Sequence, residues 1–244
     1  MRTEVLYGVH PVTETLRAGR RKVVEILMAR GRPAPRLAEA LEAAKKRNIS
    51  VREVTPERLA SMAGSPGHQG VAAEVGPYPL VELPDLLAGE APFLLALDGV
   101  VDPQNLGALV RSGVCVGVDG VIVPKDRSAP PTPAASRASA GAMEHVRMAR
   151  VTNLANALRE LKEKGVWIGG LARTEAISLY DADLTGPLAL VVGGEEKGIR
   201  PLVRSRCDFG LAIPQAGPVD SLNASVAGAV ALYEAYRQRR TPSP

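Results

Sequence analysis

The stretch from Leu211 to Tyr236, LAIPQAGPVDSLNASVAGAVALYEAY, decides how the rest of the chain is interpreted. It predicts a short strand at Leu211–Ile213, a loop at Pro214–Asp220 and a helix that begins near Ser221. Apolar residues at helical spacing predict one buried face of that helix, made of Leu222, Val226, Ala229, Val230 and Tyr233.

Polar residues cluster at the start of this helix. Asp220 and Ser221 are both good N-caps, and Asn223 and Ser225 follow within about one turn. Capping needs only one such residue, so helix initiation alone does not account for the cluster. Loops that lead from a strand end into a helix N-terminus are where α/β folds bind ligands. The stretch therefore predicts a ligand site as well as a helix start.

The second half of the chain alternates strand-like and helix-like segments. Phe93–Asp98 is a nearly continuous apolar run, as expected for a strand that is covered on both faces. Further strands are predicted at Val121–Val123, Val146–Val151, Val166–Leu171, Leu188–Val192 and Phe209–Ile213, and helices at Leu106–Val116, Asn153–Lys164, Pro201–Arg206 and Leu222–Gln238. This alternation predicts an α/β fold over residues 93–240, with a mostly parallel sheet and helices on both of its faces.

Residues 1–75 predict a separate and smaller α/β module. Its predicted strands are Val5-Leu6-Tyr7, Val23–Met28, Val51–Val54 and Val71–Val75, and its longer helices are Pro11–Ala18 and Pro35–Arg47. The module has 13 Lys or Arg residues against 8 Asp or Glu, which suggests a polyanion-binding appendage, although an ordinary solvated surface explains so modest an excess equally well. Residues 76–92 contain four prolines and two glycines and predict an interdomain linker.

Composition argues against several other classes of protein. No run approaches the ~18 apolar residues of a membrane helix, and the N-terminus has no apolar segment of the secretory type. Cys115 and Cys207 lie in apolar patterns and predict buried thiols in a reducing cytosol. The three histidines are scattered without cysteine partners, so we expect no metal site.

Three separated segments resemble the motifs of one family. They are Asp102–Arg111 (DPQNLGALVR), Val191–Ile199 (VVGGEEKGI) and the stretch that runs from Ile213-Pro214 to Ser221–Ala227 (SLNASVA). Together they resemble the SPOUT methyltransferases, in the SpoU (TrmH-like) branch that methylates the ribose 2′-hydroxyl of RNA. Ser128-Ala129-Pro130 and Ser139–His145 resemble the members that act on guanosine in large-subunit ribosomal RNA.

The resemblance extends to the overall architecture. It implies a trefoil knot in the C-terminal domain, a homodimer with the active site near the interface, and an L30e/L7Ae-like substrate-binding domain over residues 1–75. The hydrophobic pattern by itself indicates neither the knot nor the dimer, and it would have given an ordinary doubly wound sheet for the C-terminal domain.

The resemblance also implies a site. S-adenosyl-L-methionine would contact Gly193, Ile213 and Leu222, largely through backbone groups. The residues matching the family's catalytic positions are Arg111, Asn105, Glu195 and Asn223. The expected role of Arg111 is to stabilise the 2′-alkoxide as the hydroxyl attacks the methyl group, while another group or water removes the proton.

The leading interpretation is therefore a cytoplasmic guanosine 2′-O-methyltransferase that acts on large-subunit ribosomal RNA. A transfer-RNA ribose methyltransferase with the same chemistry is the nearest alternative. A resistance methyltransferase that modifies adenosine also fits the three motifs but is weaker on the subfamily features. An inactive RNA-binding protein is a further alternative, against which the intact set of Asn105, Arg111, Glu195 and Asn223 argues.

Overall fold

The computed structural model describes residues 3–31, 37–173, 177–218 and 221–240. In chain order the strands are β1 Glu4–Tyr7, β2 Val23–Ala29, β3 Ser50–Val54, β4 Val71–Val75, β5 Phe93–Asp98, β6 Gly120–Pro124, β7 Arg147–Val151, β8 Trp167–Leu171, β9 Ile177–Ser178, β10 Leu188–Gly193 and β11 Phe209–Ala212. The α-helices are α1 Val9–Ala18, α2 Ala38–Lys46, α3 Pro56–Ala63, α4 Pro103–Cys115, α5 Pro133–Ala138, α6 Leu154–Glu163, α7 Pro201–Arg204 and α8 Ala224–Arg240. Short 3₁₀ helices lie at Leu83–Leu87 and Ala142–Glu144.

The chain divides into two compact units. Unit 1 comprises Met1–Pro79 and Pro131–His145, and unit 2 comprises Leu80–Pro130 and Val146–Pro244. No helix in the described ranges has both the length and the hydropathy that are needed to cross a membrane. The same ranges contain no group of three or more His, Cys, Asp or Glu side chains that could hold a metal ion.

Unit 2 is built on a seven-stranded sheet in the order β7-β6-β5-β10-β8-β11-β9, and every pairing in it is parallel. The predicted α/β fold with a mostly parallel sheet is therefore confirmed. Central strands β5 and β10 are buried at every residue, which explains their uninterrupted apolar sequences. Because parallel strands end at a common edge, the loops after β5, β10, β8 and β11 lie side by side. The trefoil knot stays a prediction.

Unit 1 contains a four-stranded sheet in the order β1-β4-β2-β3. Strand β4 pairs antiparallel with both β1 and β2, whereas β2 and β3 are parallel. Leu6, Ile26 and Val71 are fully buried in a core that α1 and α2 share with the sheet. The predicted start of α2 at Pro35 lies outside the described residues.

A segment that is distant in sequence completes unit 1. Pro131–His145 falls inside the predicted domain of residues 93–240, yet it packs in unit 1. The side chain of Arg21 is fully buried there, and its Nε lies 3.0 Å from Oε2 of Glu144. Burial raises the pKa of the Glu144 carboxyl group, although the charge of Arg21 opposes that shift. The predicted boundaries at residues 1–75, 76–92 and 93–240 stay a prediction.

Helix α8 packs against α4 and β10 through its small residues. The buried residues of the helix include Ala224, Gly228, Ala231, Leu232 and Ala235. A Cβ atom on Gly228 would lie under 3.0 Å from Cδ2 of Leu109 in α4, so a larger residue here would require the Leu109 side chain to move.

The predicted buried face of α8 is therefore wrong. Leu222, Val226 and Tyr233 are 40%, 48% and 51% exposed, and Ala229 and Val230 are only half-buried. Helical periodicity locates an apolar stripe, but two apolar stripes run along this helix. Because α4 approaches α8 closely, the stripe with the smaller side chains is the one that is buried.

Candidate active site

A buried aspartate at the carboxyl end of β5 bonds to both ends of the loop that follows β10. Asp98 is fully buried, and its Oδ2 accepts a hydrogen bond from the backbone N–H of Arg200 at 2.8 Å. Its Oδ1 accepts from Nε of Arg200 at 2.7 Å and lies 2.6 Å from Nη2. The carbonyl oxygen of Asp98 also accepts from the N–H of Gly194 at 2.9 Å. Sequence reasoning did not name Asp98 or Arg200 as site residues. The signal for Asp98 was a carboxylate at the end of an otherwise apolar strand.

The loop after β10 passes so close to neighbouring backbone that two of its residues must be glycine. A Cβ on Gly193 would lie under 3.0 Å from the carbonyl carbon of Gly198, and one on Gly194 would lie under 3.0 Å from the carbonyl oxygen of Gly99. Both obstacles are backbone atoms, which cannot rotate away. The need for glycine here is one of space, since neither residue has a positive φ.

This packing brings two of the predicted catalytic residues together. The Nδ2 group of Asn105 donates a hydrogen bond to Oε1 of Glu195. Asn105 is buried in the first turn of α4, because the helix begins at Pro103 with Asp102 as its cap, three residues earlier than predicted. Glu195 is exposed at the tip of the loop after β10. The pair therefore presents a carboxylate at the carboxyl edge of the sheet.

A cleft of about 190 Å³ lies beside this pair. All three predicted cofactor contacts, Gly193, Ile213 and Leu222, line it, and so does Glu195. The other lining residues are Leu171, Ala172, Arg173, Val192, Gly194, Gly198, Leu211, Gln215, Ser221, Ala224 and Ala227. The cleft thus lies among the loops that follow β8, β10 and β11. Arg173 and Gln215 also line the cleft, and sequence reasoning named neither of them as a contact.

Asn223 caps α8. Its Oδ1 accepts from the N–H and the hydroxyl of Ser225 at 2.8 and 2.5 Å and from the N–H of Val226 at 3.3 Å. Helix α8 therefore begins at Ala224, not near Ser221. The other predicted cap, Asp220, lies outside the described residues. Capping uses only the oxygen of Asn223, so the Nδ2 group keeps its two donors.

Arg111 does not join the Asn105–Glu195 pair within one chain. It is exposed on α4, with no hydrogen bond or ion pair to any part of the chain that the structure describes. Six residues of helix place its Cα about 9 Å along the axis from Asn105 and about 120° around it. Arg111 shares its helical face with Gln104, Ala108 and Cys115. The predicted burial of Cys115 is wrong for the same reason, because this face of α4 is turned to solvent.

The fold and this site define the class of the protein. A sequence model of the SpoU rRNA methylase family matches residues 92–233, and the chain belongs to this family. A second model, described as RNA 2′-O ribose methyltransferase substrate binding, matches residues 5–81.

Individual relatives match nearly the whole chain. The 23S rRNA (guanosine-2′-O-)-methyltransferase RlmB of Vibrio cholerae serotype O1 is 44% identical over 243 residues, which is 98% of each chain. RlmB of Escherichia coli K12 is 43% identical over 97% of this chain and 99% of its own. The crystal structure of the SpoU methyltransferase AviRb from Streptomyces viridochromogenes, in complex with AdoMet, superposes with a TM-score of 0.83 at 26% identity, over 97% of this chain and 90% of AviRb.

Proposed function

We propose that this chain is a cytoplasmic enzyme that transfers a methyl group from S-adenosyl-L-methionine to the ribose 2′-hydroxyl of a guanosine in large-subunit ribosomal RNA. The observation that carries the proposal is the cluster in which Asn105 bonds to Glu195 beside a cleft lined by Gly193, Ile213 and Leu222. Relatives named for this activity match both units of the chain at 43–44% identity, which favours ribosomal RNA over transfer RNA.

The cleft suits this cofactor chemically. Leu171, Val192, Leu211 and Leu222 supply apolar walls for a flat base, and the strand ends expose backbone groups that can bond to its edge. The carboxylate of Glu195 complements a positively charged sulfonium. When bound, the cofactor supplies an electrophilic methyl group.

The catalytic roles follow from the chemistry of each side chain. A ribose hydroxyl is a weak acid, so its attack requires stabilisation of a developing negative charge on the oxygen. A guanidinium group does not release its proton in proteins, so we assign Arg111 to that stabilisation and not to proton removal. Asn105 and Asn223 orient the ribose through amide groups, and Glu195 holds Asn105 in place.

The proposed activity is tested by incubating the purified protein with an unmethylated large-subunit rRNA transcript and methyl-labelled cofactor. We expect one methyl group per transcript, recovered after nuclease digestion as 2′-O-methylguanosine. Transfer-RNA transcripts serve as the comparison and should remain unlabelled. Incorporation into a base, or cofactor binding without any RNA methylation, would exclude the proposed reaction.

We further propose that the chain forms a homodimer through the exposed stripe of α8. Val226 and Tyr233 are exposed apolar residues on one face of α8, and exposed Leu222 lies two residues before the helix, a pattern that marks association surfaces. This stripe lies on the same side of the sheet as α4, which packs against α8 and carries Arg111. A second copy seated on this stripe would take Arg111 out of bulk solvent and place it at the interface.

Charge placed on this stripe should separate the dimer. We expect Val226→Arg to convert the protein from dimer to monomer in sedimentation velocity. We also expect methylation to fall at least ten-fold, because Arg111 would return to bulk solvent when the second copy is lost. Trp167→Arg is the matched control, since Trp167 is 59% exposed at the start of β8 in the same unit. A wild-type monomer, or a Val226→Arg dimer of unchanged affinity, would contradict this interface.

A further inference from the structure

A second cleft of about 270 Å³ opens at the carboxyl edge of the sheet in unit 2, and it shares no lining residue with the cleft beside Glu195. It lies where β6 and β7 end and is closed by α6 and α7. Its lining residues are Pro124, Asp126, Arg127, Thr152, Asn153, Ala155, Arg200, Leu202 and Val203. This β6–β7 cleft lies at the end of the strands where parallel α/β sheets bind their ligands.

Two arginines, Arg127 and Arg200, line the β6–β7 cleft. Arg127 is exposed in the loop after β6, and its side chain has no hydrogen bond or ion pair to the described parts of the chain. Arg200 is held by Asp98 through Nε and Nη2, which leaves its Nη1 group available as an oriented donor. Asp126 is the one carboxylate that lines the cleft. Arg127 and the Nη1 group of Arg200 therefore offer charged donors to an anion that can accept several hydrogen bonds.

The opposite wall is apolar. Leu202 is 57% exposed although it lies in α7, and Pro124, Ala155 and Val203 extend the same surface. The volume is just below the ~300 Å³ at which drug-sized ligand pockets begin, so the cleft accommodates one small unit and not a duplex. The arginine side and the apolar side of the cleft together fit a small ligand that has an anionic end and a weakly polar body.

We propose that the β6–β7 cleft binds one nucleotide of the RNA substrate, with a phosphodiester group against Arg127 and the sugar or base against Leu202. This inference rests on the proposed RNA substrate. Strands in a sheet are spaced about 4.8 Å apart, so β6 and β7 lie roughly 10 and 14 Å from β10, whose loop carries Glu195. The nucleotide held here is therefore a neighbour of the one that is methylated. The cleft thus fixes the path of the RNA chain across the sheet edge.

The test compares RNA binding by two arginine variants in full-length protein. The probe is the unmethylated large-subunit rRNA transcript, measured by filter binding across a series of KCl concentrations. We expect Arg127→Gln to weaken binding about five- to ten-fold and to reduce the slope of log K against log salt by about one. Arg159→Gln is the control, because Arg159 is an exposed arginine of the same unit, on α6, that pairs with Glu163. We expect it to bind RNA like the wild type.

A second variant probes the apolar wall. Leu202→Asp keeps an exposed position but adds a negative charge to the cleft, so we expect a loss of at least ten-fold in RNA affinity. Titration with S-adenosyl-L-methionine in a calorimeter should give wild-type affinity for all three variants, which also establishes that they are folded.

The outcomes separate this inference from the proposed function. RNA affinity and salt slope that are the same in Arg127→Gln as in the wild type would overturn the cleft as a nucleotide site, even if the wild-type enzyme methylates rRNA normally. A wild-type protein that binds the transcript through Arg127 but never methylates it would instead overturn the proposed reaction and leave the cleft in place.

Discussion

Arg111→Ala should lower the rate of methyl transfer by about 10²–10³-fold while the affinity for S-adenosyl-L-methionine stays within about two-fold of the wild type. The size of the loss is that of removing one strong donor from a developing oxyanion. The cofactor cleft should be spared because Arg111 is not among its lining residues. Single-turnover methylation and calorimetric titration of the cofactor are the two measurements.

Two further variants make this result specific to Arg111. Arg111→Lys keeps the charge but not the planar fork of donors, so we expect it to recover only part of the lost rate. Arg159→Ala removes another exposed arginine, on α6, and should leave the rate unchanged. An Arg111→Ala protein that loses cofactor affinity and rate to the same extent would assign Arg111 to binding and not to the reaction.

The position of Arg111 shows what the sequence motifs could predict. They predicted that Asn105, Glu195 and the three cofactor-contact residues belong to one site, and the structure brings these five residues to one edge of unit 2. They did not indicate that Asn105 already lies in the first turn of α4, which places Arg111 about 120° around the helix from it. Motif spacing specifies a position along the chain, whereas the facing of a side chain depends on which side of α4 the neighbouring helix covers.

Strands were easier to predict than packing. The prediction of β5 at Phe93–Asp98 is confirmed to the residue because a strand that is buried on both faces has an unbroken apolar sequence. The buried face of α8 was wrong because the decisive contact, Gly228 against Leu109, joins two helices that are far apart in sequence. The packing of Pro131–His145 in unit 1 likewise depends on the long-range pair of Arg21 and Glu144. Local periodicity carries no information about such contacts.

The loop after β10 is the place where adding a single methyl group should lower cofactor affinity and methylation the most. The structure leaves no room for a side chain at Gly193, where a Cβ atom would overlap the backbone of Gly198 and Ile199. Relief would require the loop to move away from β10. That movement would take Glu195 away from Asn105 and would reshape the cleft that Gly193 and Glu195 both line.

We therefore expect Gly193→Ala to reduce cofactor affinity by more than 100-fold and to abolish measurable methylation. Overpacking of a buried site typically costs about 1–3 kcal/mol of folding free energy, and contact with rigid backbone should place this variant at or above the upper end. Calorimetric titration measures the affinity, and chemical denaturation measures the stability.

Gly89→Ala is the matched control for this substitution. It makes the same chemical change in the same unit, at a glycine with no atom within 4 Å of the added carbon and no positive φ. We expect wild-type affinity and stability from it. If Gly193→Ala instead bound the cofactor as tightly as Gly89→Ala does, the loop after β10 could not be the wall of the cofactor site, and the assignment of Glu195 to that site would fail with it.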